Sequence, residues 1–230
     1  MTAGGIFLIV GGYFWGALPF SLSLARKKRV CLVPGDDVHI ALLRQVGDKA
    51  AVLAGLVDFM KGIILVLIGF GLDLSVLAVS LAGVAVVVGQ MWPPHGCFGE
   101  RGNTVGAGVL IVLSLVYGAY YILFALVFFA AGFGIRYIVH RRDREHGAAH
   151  PLSLALPLGM LLGFASAPLF SWLSGQPWGM TLAFVLLLVI ILLKRLTVNL
   201  RTDIEAHRDI SLSRILVNRL LFDQTIPGQG

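Results

Sequence analysis

Charge and cysteine are both scarce in this chain. Of its 230 residues only 13% are charged, against roughly 25% in a soluble globular domain. That shortage argues against a surface wholly covered by water. There are two cysteines, Cys31 and Cys97. Both fall in segments expected on the cytoplasmic side, which argues against a disulfide framework. His95 lies near Cys97, but the paired spacing that zinc requires is missing, so no metal is expected. No internal repeat and no low-complexity tract is present. The paired broken helices and inverted repeat of a secondary transporter are missing too.

What the chain has instead is apolar surface. Hydrophobic residues make up 57% of it, and the mean hydropathy is +0.88. A fold of this size buries about 70–75% of the surface its unfolded chain exposes, so much of the apolar excess must face lipid. A crossing helix needs about 20 apolar residues. The sequence predicts seven: Ala3–Ala25, Ala50–Gly71, Leu72–Trp92, Thr104–Gly118, Ala119–Val139, Leu152–Ser174 and Trp178–Leu193. The fourth is short, and reads as a tilted crossing, a re-entrant segment or a piece of the fifth.

Net charge is +6, and its distribution sets an orientation. Arg26–Arg29, Arg44, Lys49, Arg101, Arg141, Arg142, Arg144 and the basic residues from Lys194 onward alternate with outer turns near Leu72, Gly118 and Gly175 that carry no Lys or Arg. By the positive-inside bias, the N-terminus is expected outside and the C-terminus in the cytoplasm. The first span is not expected to be a cleaved signal, because its basic residues come after the apolar stretch. Pro19 is expected to kink it. Gly11, Gly12 and Gly16 read equally as a helix-contact face or as ordinary membrane glycine. Val38, Ala41, Leu42, Gln45 and Val46 recur at helical spacing, so an amphipathic interfacial helix is expected in the first linker. The tail, with Ile210, Ile215, Leu216, Leu220 and Leu221 spaced among polar residues, reads as a second surface helix. The expectation is an all-α integral membrane protein of about seven transmembrane helices. A membrane domain would occupy residues 1–201 and a cytoplasmic tail residues 202–230.

Two features carry chemistry. Asp58 and Lys61 sit inside the second span at i,i+3, where charges are costly unless paired or used. They read either as a self-neutralised pair or as a lysine lining an anion pocket with Asp58 holding it. Arg136, near the end of the fifth span, is expected to snorkel to the interface. The loop from Gly89 to Gly106 is rich in glycine, contains Arg101, and runs into the start of an apolar helix. Backbone amides and the helix dipole there favour an anion, and glycine lets the backbone approach it.

Four pieces in order resemble the bacterial acyl-phosphate:glycerol-3-phosphate acyltransferases. Gly16-Ala17-Leu18-Pro19-Phe20 is similar to the family's close of span one. Leu43-Arg44-Gln45-Val46-Gly47-Asp48-Lys49-Ala50 and Val57-Asp58-Phe59-Met60-Lys61-Gly62 match its second block in register. Gly89-Gln90-Met91-Trp92-Pro93 and Phe98-Gly99-Glu100-Arg101-Gly102-Asn103-Thr104 look like its G-H-x-F-P and Gly-rich loop. Lys194-Arg195-Leu196-Thr197-Val198-Asn199-Leu200-Arg201 is similar to its closing motif. Departures are visible. Pro34-Gly35-Asp36-Asp37-Val38-His39-Ile40-Ala41 replaces a stretch with a serine and two asparagines, Gln90 stands where the family has histidine, and Arg101 where it has lysine.

The resemblance implies a seven-span enzyme of the bacterial inner membrane. It implies transfer of an acyl group from acyl phosphate to glycerol 3-phosphate beside membrane lipid, with no cofactor and no metal. Arg101 with Gly102, Asn103 and Thr104 would bind one phosphate. Arg44 and Lys61 would help with the other, Asn199 and Arg201 would close the site, and Asp58 and Gly35 would support it. A noncatalytic relative that binds an anionic lipid or phosphorylated metabolite is the alternative; a transporter or channel is the third reading. No base for the hydroxyl is identifiable. His39 is a candidate by chemistry and an exposed interfacial histidine by position, and His140 and His207 have no supporting context.

Overall fold

A computed structural model describes residues 2–32, 37–94, 99–146, 155–208 and 210–222. Among these residues the chain forms eleven α-helices and no strand. The first predicted span is broken. Helix α1 (Ala3–Gly16) stops before Pro19, and α2 (Phe20–Lys27) starts after it. Proline lacks the N–H a continuing helix needs and pushes the residue before it out of the helical region.

Helix α3 (Val38–Gln45) is the expected amphipathic helix. Val38 and Leu42 are buried with Ala25 and Ala54, and Ala41 is buried too. Gln45 lies on the exposed side, where its side chain exchanges two hydrogen bonds of 2.9 Å with the backbone of Cys31. Asp37 caps the helix, its Oδ1 accepting from the amides of His39 (3.0 Å) and Ile40 (3.2 Å). Gly47, at φ +114°, then turns the chain into α4 (Asp48–Gly71).

Helix α5 (Val76–Met91) is the hub, packed on α1, α4, α6 (Asn103–Val116) and α9 (Trp178–Thr197). Its Ala78, Val79, Ala82, Val86, Val87 and Met91 are buried. Backbones touch where α1 crosses it. A Cβ at Gly16 would overlap the Val86 carbonyl, and one at Gly89 the Tyr13 carbonyl, whereas Gly11 faces open space. Gly12 and Gly16 therefore form a helix-contact face, and Gly11 is no part of it.

Helix α6 is not merged with the next long helix. It ends before Gly118, at φ +67°. A 3-10 turn (Tyr120–Phe124) then leads into α7 (Ala125–His146). Helices α8 (Ala155–Leu173) and α9 complete the bundle. The segments Ala3–Lys27, Asp48–Gly71, Leu156–Leu173 and Trp178–Ala206 are long and apolar enough to cross a membrane, and Val76–Met91, Asn103–Val116 and Tyr120–Ile135 are shorter apolar helices. Only 28% to 39% of the four long windows is buried inside the fold. The rest presents side chains such as Phe7, Val52 and Trp172 outward, as lipid contact requires.

The chain then folds back. Helix α10 (Leu200–Ala206) precedes α11 (Leu212–Phe222), which lies against α8 and α9. Arg195 donates to the carbonyls of Leu220 and Pro157 (both 3.0 Å), and Arg219 donates to the carbonyl of Arg195 (3.1 Å) and pairs with Asp203.

Candidate functional site

A cavity of about 550 Å³ opens between α3, the first half of α4, the loop before α6, and the facing parts of α7 and α8. Its two walls differ in chemistry. One is apolar, with Ala51, Val52, Phe133 and Met160; the other carries His39, Asp58, Glu100 and Arg101.

The polar wall is backed by a closed ring of interactions. Ser21 Oγ donates to Asp58 Oδ2 at 2.6 Å. Asp58 Oδ1 pairs with Lys61 at 3.0 Å. Lys61 Nζ donates to Gln90 Oε1 (2.6 Å) and to the Leu18 carbonyl (2.8 Å), the latter freed by the break at Pro19. Gln90 Nε2 donates to Glu100 Oε2 at 2.8 Å. His39 Nε2 closes the ring, 3.2 Å from Asp58 Oδ2 and 3.6 Å from Glu100 Oε2. Asp58 and Lys61 are each 1% exposed. Such burial is tolerated because each charge has an opposite partner and further hydrogen bonds.

The loop before α6 supplies the cationic part of the wall, Arg101. The Glu100 amide donates to the Gln90 carbonyl (3.1 Å), which fixes the loop against the end of α5. Gly102 then takes φ +68° to enter α6, and no side chain caps that helix start. The first-turn amides, the positive end of the helix dipole and Arg101 thus converge on one side of the cavity. Asp37 Oδ2 lies 3.9 Å from Arg101 Nε and links this loop to α3.

The charges of the polar wall are mutually adjusted. Burial alone would push the Asp37 carboxyl up, but His39, Arg101 and the two amides it caps hold it below the usual range. Burial opposes charge on His39, yet the hydrogen bond to Asp58 and the charges of Asp37 and Glu100 outweigh it and push the imidazole up to about 9. Glu100 is pushed up to about 8 by burial and by the Asp58 charge, against the pull of His39. Donor atoms of His39, Asp58 and Glu100 lie within 4.8 Å of one another. They are already joined by hydrogen bonds and ion pairs, and the Lys61 ammonium supplies the positive charge at that point.

Of the residues expected from the sequence, Asp58, Arg101, Gly102, Asn103 and Thr104 line this cavity, and Lys61 stands directly behind Asp58. Three others lie elsewhere. Arg44 is on the exposed face of α3. Asn199 is exposed at the start of α10, and Arg201 is 93% exposed and paired with Glu205 at 3.0 Å. Gly35 lies outside the described residues, as do Asp36 and Cys97 and the side chain of Arg136. His39 is not an exposed interfacial residue, since only 25% of its side chain is accessible and its Nε2 meets two carboxylates. Gln90, Glu100 and Asp37 escaped sequence reasoning. Gln90 carried a usable signal, a polar side chain at the end of an otherwise apolar span. Glu100 carried a weaker one, the single acid in a Gly-rich loop.

The fold and site define a helical membrane protein with a cavity in which Arg101 and the start of α6 face an apolar wall. The family model for glycerol-3-phosphate acyltransferase matches residues 6–205, and the chain belongs to that family. It is 31% identical over 122 residues to glycerol-3-phosphate acyltransferase 1 of Deinococcus radiodurans, covering 51% of this chain and 62% of that one. It is 36% identical over 118 residues to the glycerol-3-phosphate acyltransferase of Aquifex aeolicus, covering 49% and 58%. The matched part thus spans about three fifths of each relative's length. Crystal structures of PlsY (YgiH), an integral membrane glycerol 3-phosphate acyltransferase, share the fold. Its lysophosphatidic acid form superposes with a TM-score of 0.65 at 22% identity, covering 96% of this chain and 98% of that one. Its glycerol 3-phosphate form gives a TM-score of 0.65, covering 94% of each. With these integral membrane neighbours and its own apolar helices, the chain is a multi-pass membrane protein.

Proposed function

We propose that this protein transfers a fatty acyl group from acyl phosphate to the 1-hydroxyl of glycerol 3-phosphate, giving lysophosphatidic acid and inorganic phosphate. The observation that carries this reading is the cavity itself, in which Arg101 and the uncapped start of α6 face an apolar wall formed by α4, α7 and α8. One phosphate sits against Arg101 and the amides of Gly102–Thr104, and the acyl chain lies along Val52, Phe133 and Met160. Both substrates are anionic headgroup molecules, and acyl phosphate is already activated. Holding them together and neutralising their charge therefore accounts for much of the acceleration. Asp58 and Lys61 act from behind, by fixing the polar wall. Arg44, Asn199 and Arg201 have no part in this reading, because they do not line the cavity. In the same reading the chain crosses the bacterial inner membrane seven times with its N-terminus outside, which puts this cavity at the cytoplasmic face.

The test is acyl transfer by purified protein in detergent, from palmitoyl phosphate to labelled glycerol 3-phosphate, beside Arg101→Ala. Labelled lysophosphatidic acid is expected from the parent. Charge-assisted hydrogen bonds contribute about 1.5–3 kcal/mol each, so turnover at subsaturating substrate should fall roughly ten- to hundredfold in Arg101→Ala. No product from folded parent protein would overturn the reading and make the chain a noncatalytic relative.

A further inference from the structure

We propose that the C-terminal helix α11 sets the enzyme's selectivity among acyl chains, because through Arg195 it holds the start of α8, one side of the apolar wall. This rests on the acyl-transfer reading above and adds a specificity role at the same cavity. Leu156, Pro157 and Met160, at the start of α8, line the cavity. They stand on the side along which that reading lays the acyl chain.

One guanidinium ties α11 to this wall. Arg195 is in the last turn of α9. Its Nη2 donates to the Pro157 carbonyl and its Nη1 to the Leu220 carbonyl, each at 3.0 Å. The planar fork presents its donors in fixed directions, so a single buried side chain sets the spacing of α8, α9 and α11.

The bonds between α9 and α11 are reciprocal. Leu220 lies in the last turn of α11, and the carbonyls of a last turn have no partner within their own helix. Arg195 supplies one. Arg219, from α11, donates through Nε to the carbonyl of Arg195, in the last turn of α9, at 3.1 Å. Each arginine therefore sits at the negative end of the other's helix, where a cation is favoured. Arg219 is buried and also pairs with Asp203 on α10. Ile215, one turn earlier on the same face of α11, is buried as well, and α11 packs on both α8 and α9. This helix lies beyond residues 6–205, the stretch that the family model matches.

Pro157 cannot shift without breaking the fork of Arg195, and Leu156 and Met160 on the neighbouring turns move with it. With α11 docked, the wall has one shape and grips or rejects each added methylene. With α11 released, the start of α8 yields and the wall accepts a wider range of chains. Each buried methylene contributes about fourfold in affinity, so a small displacement of the wall is read as a change in discrimination. Glycerol 3-phosphate, on the polar side, is unaffected.

The experiment measures kcat/KM for acyl phosphates from lauroyl to stearoyl, in detergent, for the parent, Arg219→Met and Arg219→Lys, with KM for glycerol 3-phosphate beside it. Arg219 does not line the cavity, so its loss acts only through α11. The parent should prefer one chain length. In Arg219→Met the ratio of best to worst chain should fall at least about fourfold, the contribution of one methylene. KM for glycerol 3-phosphate should stay within about twofold. Arg219→Lys, which keeps the charge beside Asp203, should recover part of the ratio. A helix that only stabilises the fold would lower the thermal midpoint and slow every chain alike in Arg219→Met. That unmoved ratio overturns the proposal, and so does a parent with no chain preference. If Arg219→Met does not fold, Ile215→Ala, which loosens the same helix through its apolar face, decides by the same ratio. An active parent whose ratio survives in the variants overturns this inference alone, whereas a folded parent that transfers no acyl group takes down both readings.

Discussion

Asp58 shows how little room a buried charge has to change. It accepts from Ser21, pairs with Lys61 and touches His39, all within 3.2 Å. Removing it would strand Lys61, which is 1% exposed. Asp58→Ala is therefore expected to destabilise the protein by about 3–5 kcal/mol, read as a lowered thermal unfolding midpoint in detergent. Replacing both partners by apolar residues, as in Asp58→Leu with Lys61→Met, should restore much of that stability, because no lone charge remains. It should not restore turnover, since the polar wall would be gone. His39 gives a pH signature. Its folded value near 9 exceeds the ordinary 6.5, so its contribution to stability is complete below about 6.5 and fades as pH rises through about 9. Glu100, raised from 4.5 to about 8, acts in the same direction, because ionising it costs more folded than unfolded. Unfolding midpoints measured from about pH 6 to about 9.5 should fall steadily. In His39→Gln the decline should be shallower.

At the level of helices, the crossing of α1 and α5 is set by what is missing from Gly16 and Gly89. At each position a methyl group meets a carbonyl of the other helix, and backbone cannot step aside as a side-chain tip can. Gly16→Ala should cost about 1–3 kcal/mol through overpacking, measured by thermal unfolding. Gly11→Ala, with nothing within 4 Å, should be neutral or gain up to about 1 kcal/mol from helix propensity. Equal effects at the two positions would contradict the packing described. Helix α3 was legible in advance from its spacing, and so was a disturbance at Pro19, expected as a kink and found as a full break. Which α1 glycines touch a neighbour was not, because a glycine looks the same on either face until the partner helix is placed. The independence of α6 from α7 was equally hidden, since it depends on the turn at Gly118 and on the 3-10 segment after it.

The molecule as a whole gathers its polar cavity from helices distant in sequence. Its topology can be tested directly. In a background lacking Cys31 and Cys97, cysteine placed at Gln176 should react with an impermeant maleimide on intact cells, and cysteine at Lys28 only after the membrane is opened. Labelling of both from one side would contradict the proposed seven crossings. The docking of α11 through Arg195 and Arg219 shows that basic residues counted in the sequence as cytoplasmic charge also serve as internal fasteners.

Composition was enough to establish a membrane protein of apolar helices. Spacing at i,i+3 was enough to put Asp58 and Lys61 on one side of one of them, and the glycine-rich run at Arg101 to mark a loop that enters a helix start. Each of these is a property of residues near one another in the chain, which is why the amino-acid order records it. The meeting of His39, Gln90 and Glu100 around Asp58 is of another kind, and so is the absence of Arg44, Asn199 and Arg201 from the cavity lining. Those residues come from α3, the end of α5, the next loop and the far end of the chain. Their separations depend on how α1, α4 and α5 pack, and a side chain's partner across a bundle is fixed by that packing, not by its neighbours in sequence.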